Sequence, residues 1–228
     1  MLTVSDLTFR YPNSESQFSL PSFSLAKGER VFIHGPSGSG KSTLLSLITG
    51  VLSATNGAID ILDQPFSTFK NKQKDRFRAD HIGYIFQQFN LIPFLSAVEN
   101  VALGCEFSKQ RQQRVISQFD SVQQGAKTLL STLGLSLENI AKPVNQLSIG
   151  QQQRVAAARA LLGEPELIIA DEPTSSLDSD TREEFINQLF KQAEKNNTSI
   201  LFVSHDHTLA HLFERQMCIT DILQGSRV

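Results

Sequence analysis

Cysteine is scarce. Cys105 and Cys218 are the only two in 228 residues and lie far apart, so no disulfide framework is written into the chain. Two reduced, idle thiols are expected, with one bridge as the alternative. No His/Cys spacing suggests zinc. An excess of either charge is also missing. Lys and Arg number 21 against 23 Asp and Glu, a formal net charge of −2, which argues against a nucleic-acid binder driven by bulk phosphate attraction. The longest weakly polar run, Leu44 to Ala54, is interrupted by Ser46, Thr49, Gly50 and Ser53. It falls short of the roughly 18 apolar residues a membrane helix needs. The first residues, Met1 to Asp6, show no basic segment leading into an apolar one, so no signal peptide is expected. Repeats and low-complexity linkers are absent too. These absences lead to the expectation of a soluble cytoplasmic protein, with any membrane role supplied by a partner.

What is present suffices for a core: 40% of residues are hydrophobic, and only 19% are charged, too few for a disordered chain. Leu2–Val4, Leu7–Phe9 and Phe18–Leu25 read as strands separated by turns, one of them at Tyr11 to Ser14. Arg30–Ile33 reads as a short buried strand, followed by glycines and a helix from Lys41 to Thr49. Ala58–Ile61 and Ile82–Phe86 are further strands. From Ala97 to Leu133 the pattern turns helical, and a helix is expected from Gln151 to Leu162. Leu167–Ala170 and Ser199–Val203 are uninterrupted apolar runs, as in a parallel sheet covered on both faces. Between them Ser179–Lys195 reads as a helix with Asp180, Glu183 and Glu184 near its positive end. A last strand is expected over Met217–Ile222. Alternating buried strands and helices make an α/β sheet, with a helical block at about 97–160 inserted between two of its strands.

Gly35-Pro36-Ser37-Gly38-Ser39-Gly40-Lys41-Ser42 fits G-x-x-x-x-G-K-[ST] and lies between a strand and a helix, the context that makes the match specific. The glycines let backbone N–H groups turn inward onto phosphate oxygens, and the helix opening at Lys41 adds its positive end. Lys41 is placed to reach the β- and γ-phosphates, and Ser42 to put its hydroxyl on Mg²⁺. Asp171 closes the apolar run Leu167–Ala170, where a carboxylate near the cradle serves a Mg²⁺ hydration shell. The adjacent Glu172 suits a general base for an attacking water.

Together these segments resemble the nucleotide-binding subunit of the ATP-binding cassette (ABC) transporters, with the P-loop NTPase (RecA-like) core, an antiparallel β subdomain and an inserted helical subdomain that this family has. The order of cradle (35–43), Gln87, Leu147-Ser148-Ile149-Gly150-Gln151, Asp171-Glu172, Ser176-Leu177-Asp178 and His205 matches over almost the whole chain, so 1–228 is expected to be a single cassette. The resemblance implies that Gly35 to Thr43 hold ATP-Mg²⁺, with Ser42, Gln87 and Asp171 on the metal side. It implies that Tyr11 stacks on adenine, that Glu172 activates water, and that His205 bonds the γ-phosphate and orients Glu172. Ser148, Gly150 and Gln151, with Asp178, would act across the interface of an ATP-bound homodimer. His34 abuts the cradle without a role the resemblance assigns, and His81, His207 and His211 are expected to be exposed polar residues.

Ile85 to Pro93 and Ser96 to Val101 are similar to the LolD, MacB and FtsE branch of the family, which pairs with FtsX-like membrane subunits. With little sequence after the strand expected at Met217–Ile222, an added regulatory domain of the sugar-importer kind is not expected, and that expectation favours this branch. Two alternatives stay open: an ATP-dependent regulatory module on a membrane partner, and a small-solute importer ATPase. DNA-repair ABC ATPases, with long coiled-coil arms, and tandem-cassette translation factors do not fit. On the family reading the partner is an integral membrane permease supplied in trans, and the chain is peripheral on the cytoplasmic face of the inner (plasma) membrane. One residue departs from the family pattern: Ile149 stands where glycine is usual. It would be strained if the position needs positive φ and costs little if the position is helical.

Overall fold

The computed structural model describes residues 1–12, 17–175 and 179–224. In chain order the elements are β1 (Leu2–Arg10), β2 (Gln17–Leu25), β3 (Arg30–His34), α1 (Lys41–Ile48), β4 (Asn56–Ile61), α2 (Asn71–His81) and β5 (Ile82–Ile85). Next come α3 (Ala97–Glu106), α4 (Lys109–Gln118), α5 (Val122–Thr132), α6 (Leu137–Ile140) and α7 (Ile149–Leu161). The chain then returns through β6 (Leu167–Asp171), α8 (Ser179–Lys195), β7 (Ser199–Ser204), β8 (Arg215–Cys218) and α9 (Ile219–Ile222). They build two sheets, a three-stranded antiparallel one in the order β2-β1-β4 and a five-stranded parallel one in the order β5-β6-β7-β3-β8.

The parallel sheet is apolar on both faces, and period two decides which residue goes where. Phe32, Ile168, Ala170, Ile200 and Phe202 face the core shared with α3, α5, α7 and α8. Their neighbours Val31, Ile33, Leu167, Ile169, Leu201 and Val203 face the core shared with α1 and the antiparallel sheet. The inner strands β3, β6 and β7 are therefore clamped from both sides, and all five parallel strands deliver their C-terminal ends to one edge.

Several expectations are corrected. Leu2–Val4 and Leu7–Phe9 are one strand. The alternation slips by one residue at Asp6, which takes a left-handed φ of 48°, and the register with β4 shifts between Ser5 and Thr8. Such a bulge keeps Leu2, Val4, Leu7 and Phe9 all on the buried side. The expected strand Met217–Ile222 stops at Cys218, and Ile219–Ile222 coils into a helical turn. That turn buries Ile219 against the cradle: a Cβ on Gly35 would lie 2.4 Å from the Ile219 Cγ2 atom, so glycine is required at 35 for this packing. The helix expected from Gln151 starts two residues earlier, because Ser148 caps it. The Ser148 hydroxyl accepts from the Gln151 amide (3.3 Å) and the Gln151 side chain accepts from the Ser148 amide (2.9 Å). α2 was not anticipated. His81 is half-buried rather than exposed, with Nδ1 2.9 Å from Glu166 Oε2. Cys105 is buried, Cys218 is half-buried, and both are free thiols.

Glu166, at the start of β6, also receives Arg114 of α4 at 2.6 Å. Burial alone would raise its pKa. Hydrogen bonds from His81 and Arg114 outweigh burial and bring it down to about 2. Because the folded pKa is the lower one, this network stabilises the fold above the ordinary glutamate pKa and is lost as pH falls towards 2. The urea midpoint of the wild type should therefore drop between about pH 4.5 and 2. In Glu166→Gln it should start lower and depend less on pH over that window, as a chemical-denaturation series would show.

Candidate functional site

The loop between β3 and α1 curls because Gly38 (φ 78°) and Gly40 (φ 97°) take left-handed conformations that other residues resist. The Lys41 side chain folds back into this loop. Its ammonium is buried and donates to the carbonyls of Gly35 (2.7 Å) and Pro36 (2.8 Å), with Glu172 Oε1 at 3.9 Å. Ser39 Oγ donates to the Pro36 carbonyl at 2.7 Å and closes the turn. A polar cleft of about 580 Å³ opens over the loop, lined by Pro36, Ser37, Gly38, Gly40, Lys41, Ser42, Thr43, Gln87, Asp171, Glu172 and His205. Residues 35–43, 87, 171–172 and 205, distant in sequence, meet there because β3, β5, β6 and β7 end on the same edge.

Tyr11 stands beside the cleft. It is 48% exposed, so it is not a core tyrosine. Its hydroxyl lies 3.0 Å from the Thr43 hydroxyl and its ring meets Phe9 edge-on at 4.7 Å. The tie to Thr43 fixes an exposed aromatic face next to the phosphate loop, the place a stacked base requires.

At the end of β6 two carboxylates stand side by side. Burial holds the Asp171 carboxyl above its usual range, and the charge of Glu172 pushes the same way. Lys41 and a hydrogen bond with Tyr84 offset this only in part. Burial and Asp171 in turn raise the Tyr84 phenol above its ordinary value, so it donates to the carboxylate. Tyr84 went unnoticed in the sequence, although β5 alternation placed it on the face towards Asp171. Glu172 adopts φ 49°, a left-handed conformation that costs a non-glycine residue on the order of 1–2 kcal/mol. It is held there by its amide donating to the Val203 carbonyl (2.9 Å), by His205 Nδ1 at 2.5 Å from Oε2, and by the Ser204 hydroxyl at 3.4 Å. Gln153 of α7 donates to the Pro173 carbonyl at 2.7 Å and steadies the same turn.

The donor set fits Mg²⁺. Among the described residues no three His, Cys, Asp or Glu side chains gather for a metal. A magnesium ion bound with substrate phosphates needs only one or two protein oxygens, and Asp171, the Ser42 hydroxyl and Gln87 offer hard oxygen atoms within one cleft.

Ser148, Gly150 and Gln151 do not line this cleft. They form the first turn of α7, on the surface or partly covered. Ile149 is the first helical residue, more than half exposed, and is not among the residues with positive φ. The position is helical and the departure from glycine carries no backbone strain. Asp178 lies outside the described residues, as do Ser176 and Leu177. His34 stays out of the cleft, stacked on Phe32 (5.8 Å) and edge-on to His207 (4.3 Å), and burial followed by His207 lowers its pKa.

The ABC transporter family model matches residues 19–175. The chain belongs to the ABC transporter family. It is an ABC ATPase that uses ATP and Mg²⁺. The lipoprotein-releasing system ATP-binding protein LolD 2 of Rhodospirillum rubrum is 39% identical over 200 residues, covering 88% of this chain and 84% of that protein. The ABC transporter ATP-binding protein YtrE of Bacillus subtilis is 39% identical over 209 residues, covering 90% and 85%. A dimeric post-hydrolysis structure of the ATP-binding cassette MJ0796 bound to ADP and Pi superposes with a TM-score of 0.81 at 35% identity, covering 96% of this chain and 94% of that one. Among the described residues of this ABC ATPase, no helix is long and apolar enough to cross a membrane.

Because Ile149 is exposed and already helical, Ile149→Gly removes no strain. The variant should hydrolyse ATP within about twofold of wild type. It should melt no higher, since glycine weakens a helix by up to about 1 kcal/mol. Steady-state phosphate release and thermal melting measure both.

Proposed function

We propose that this ABC ATPase works as a homodimer in which each ATP lies between the cleft of one copy and the α7 N-terminus of the other. The observation that carries the reading is the division of the machinery. One copy gathers Lys41, Gln87, Asp171, Glu172 and His205 in a cleft, whereas Ser148, Gly150 and Gln151 stand outside it on a capped helix end suited to phosphate. Asp178 would lie at the same interface. The whole of 1–228 would act as one cassette, with the helices of 97–160 as the subdomain that presents Ser148.

In this reading Lys41 exchanges its carbonyl partners at Gly35 and Pro36 for the β- and γ-phosphates. Amide groups of 36–43 surround them, and Tyr11 stacks on adenine. Mg²⁺, held by Ser42, Asp171 and Gln87, would neutralise phosphate charge. Glu172 takes a proton from the water that attacks the γ-phosphorus in line, and His205, bonded to Glu172, sets the direction of its carboxylate. Loss of the γ-phosphate removes the contact to the partner's helix end, so hydrolysis loosens the dimer.

We further propose that the dimer sits on the cytoplasmic face of the membrane and drives an integral permease supplied in trans. The LolD-type relatives and the text around Ile85–Val101 favour an FtsX-like permease. Purification of the chain with its membrane partner would identify the branch.

Glu172→Gln should lower kcat by at least ~10²-fold, the range set by loss of a general base. It should also form a dimer with ATP that light scattering detects, and Lys41→Ala should abolish both hydrolysis and dimer. An undiminished ATPase rate in Lys41→Ala would overturn the reading.

A further inference from the structure

Gln87 lies on an exposed loop with no regular structure after β5, yet its chemistry requires a fixed direction. Two residues on, Phe89 and Asn90 have φ of 58° and 48°, consecutive left-handed positions occupied by residues other than glycine. Such a pair does not persist unless its surroundings impose it. The Phe89 ring supplies one anchor, buried in the core with α7. The other comes from Arg159, near the C-terminal end of α7. Its guanidinium donates to the Phe89 carbonyl (2.6 Å) and the Asn90 carbonyl (2.7 Å), one hydrogen bond from each terminal nitrogen. Among the described residues it forms no ion pair with a carboxylate, and burial lowers its pKa. A half-buried cation with only backbone carbonyls for partners is committed to holding that backbone.

We propose that Arg159 is a positioning residue for ATP hydrolysis, its two-pronged contact fixing the left-handed Phe89-Asn90 pair so that Gln87 points into the cleft. Arg159 is not among the residues that line the cleft, and it acts through Gln87. It stands eleven residues after Ser148 on one helix, about 16 Å along the axis. The same rigid rod therefore joins the partner-facing end to the Gln87 loop. The proposal rests on the reading of Gln87 given above.

The test is a double-mutant cycle on the full chain, with kcat and KM for MgATP measured in wild type, Gln87→Ala, Arg159→Met and the double variant. Methionine keeps an unbranched apolar stem and removes the donors. Arg159→Met should lower kcat by about 10-fold or more, with KM within about twofold and a melting temperature showing a folded protein. In the double variant the two losses should not multiply. Arg159→Lys, which restores one donor but not the fork, should recover part of kcat. Wild-type kcat in a folded Arg159→Met protein, or losses that multiply in the double variant, would overturn the positioning role. Should Arg159→Met not fold, the Lys variant decides: reduced kcat at unchanged KM supports the role, and wild-type kcat overturns it. Unchanged kcat in Gln87→Ala would instead overturn the reading of Gln87.

Discussion

The site depends on an imbalance of charge at one edge of a parallel sheet. β6 delivers Asp171 and Glu172 together, and the cradle answers with a single buried ammonium, that of Lys41. Burial first, and then the charge of Glu172, hold the Asp171 carboxyl above its usual range, and Lys41, already bonded to two carbonyls, offsets this only in part. Polyphosphate entering this cleft would add negative charge to a place already short of positive charge. A divalent cation arriving with it would offset that charge, in keeping with the use of the nucleotide as its Mg²⁺ complex. The donors left for the ion are hard oxygens: the one imidazole among the lining residues, that of His205, is bonded to Glu172, and no thiol lines the cleft.

The other half of the phosphate machinery is kept apart by helix capping. Ser148 closes a capping box with Gln151, which starts α7 at Ile149 and leaves the first amide groups of the helix facing outward with their partial positive charge. The Ser148 hydroxyl takes up the Gln151 amide, which leaves the Ile149 and Gly150 amides at the helix end outside the cleft of their own copy. In the dimer proposed above, pairing two copies head to tail would give each helix end a phosphate and each phosphate a second set of donors. Ile149 fits this arrangement as well as glycine would, since the first turn of a helix asks nothing unusual of φ.

Much of this was legible because the informative features are local. The cradle combines glycine freedom, a helix N-terminus and a lysine within eight residues, and β6 and β7 are uninterrupted apolar runs whose ends mark the sheet edge. The misses share a different cause. α2 is a polar stretch, Asn71–His81, with only Lys74, Phe77 and Asp80 buried, too thin a stripe to show helical periodicity. The turn at Ile219–Ile222 exists because Ile219 packs where Gly35 has no side chain, a contact across 184 residues. Tyr84 against Asp171, His81 against Glu166 and Arg159 against Phe89 and Asn90 are likewise tertiary pairings. Nothing in the local text distinguishes those residues from ordinary strand, helix-end and surface positions.

Backbone strain then shows where the fold concentrates control. Phe89 and Asn90 beside Gln87, and Glu172 itself, are non-glycine residues in left-handed conformations, each at or beside a residue to which the proposed mechanism gives a part in hydrolysis. The contacts that hold these turns include one from a common source: Arg159 secures the first and Gln153 the second, both from α7. The Gln153 amide is buried, and its carbonyl oxygen has no hydrogen-bond partner among the described residues, so its donor contact to Pro173 comes with an unpaired acceptor that a small shift of the helix could satisfy elsewhere. A movement of α7 would thus be felt at both turns together. In the proposed dimer, a helix that met the partner's nucleotide at one end and both turns of its own copy along its length would make the geometry of water attack conditional on the dimer being closed.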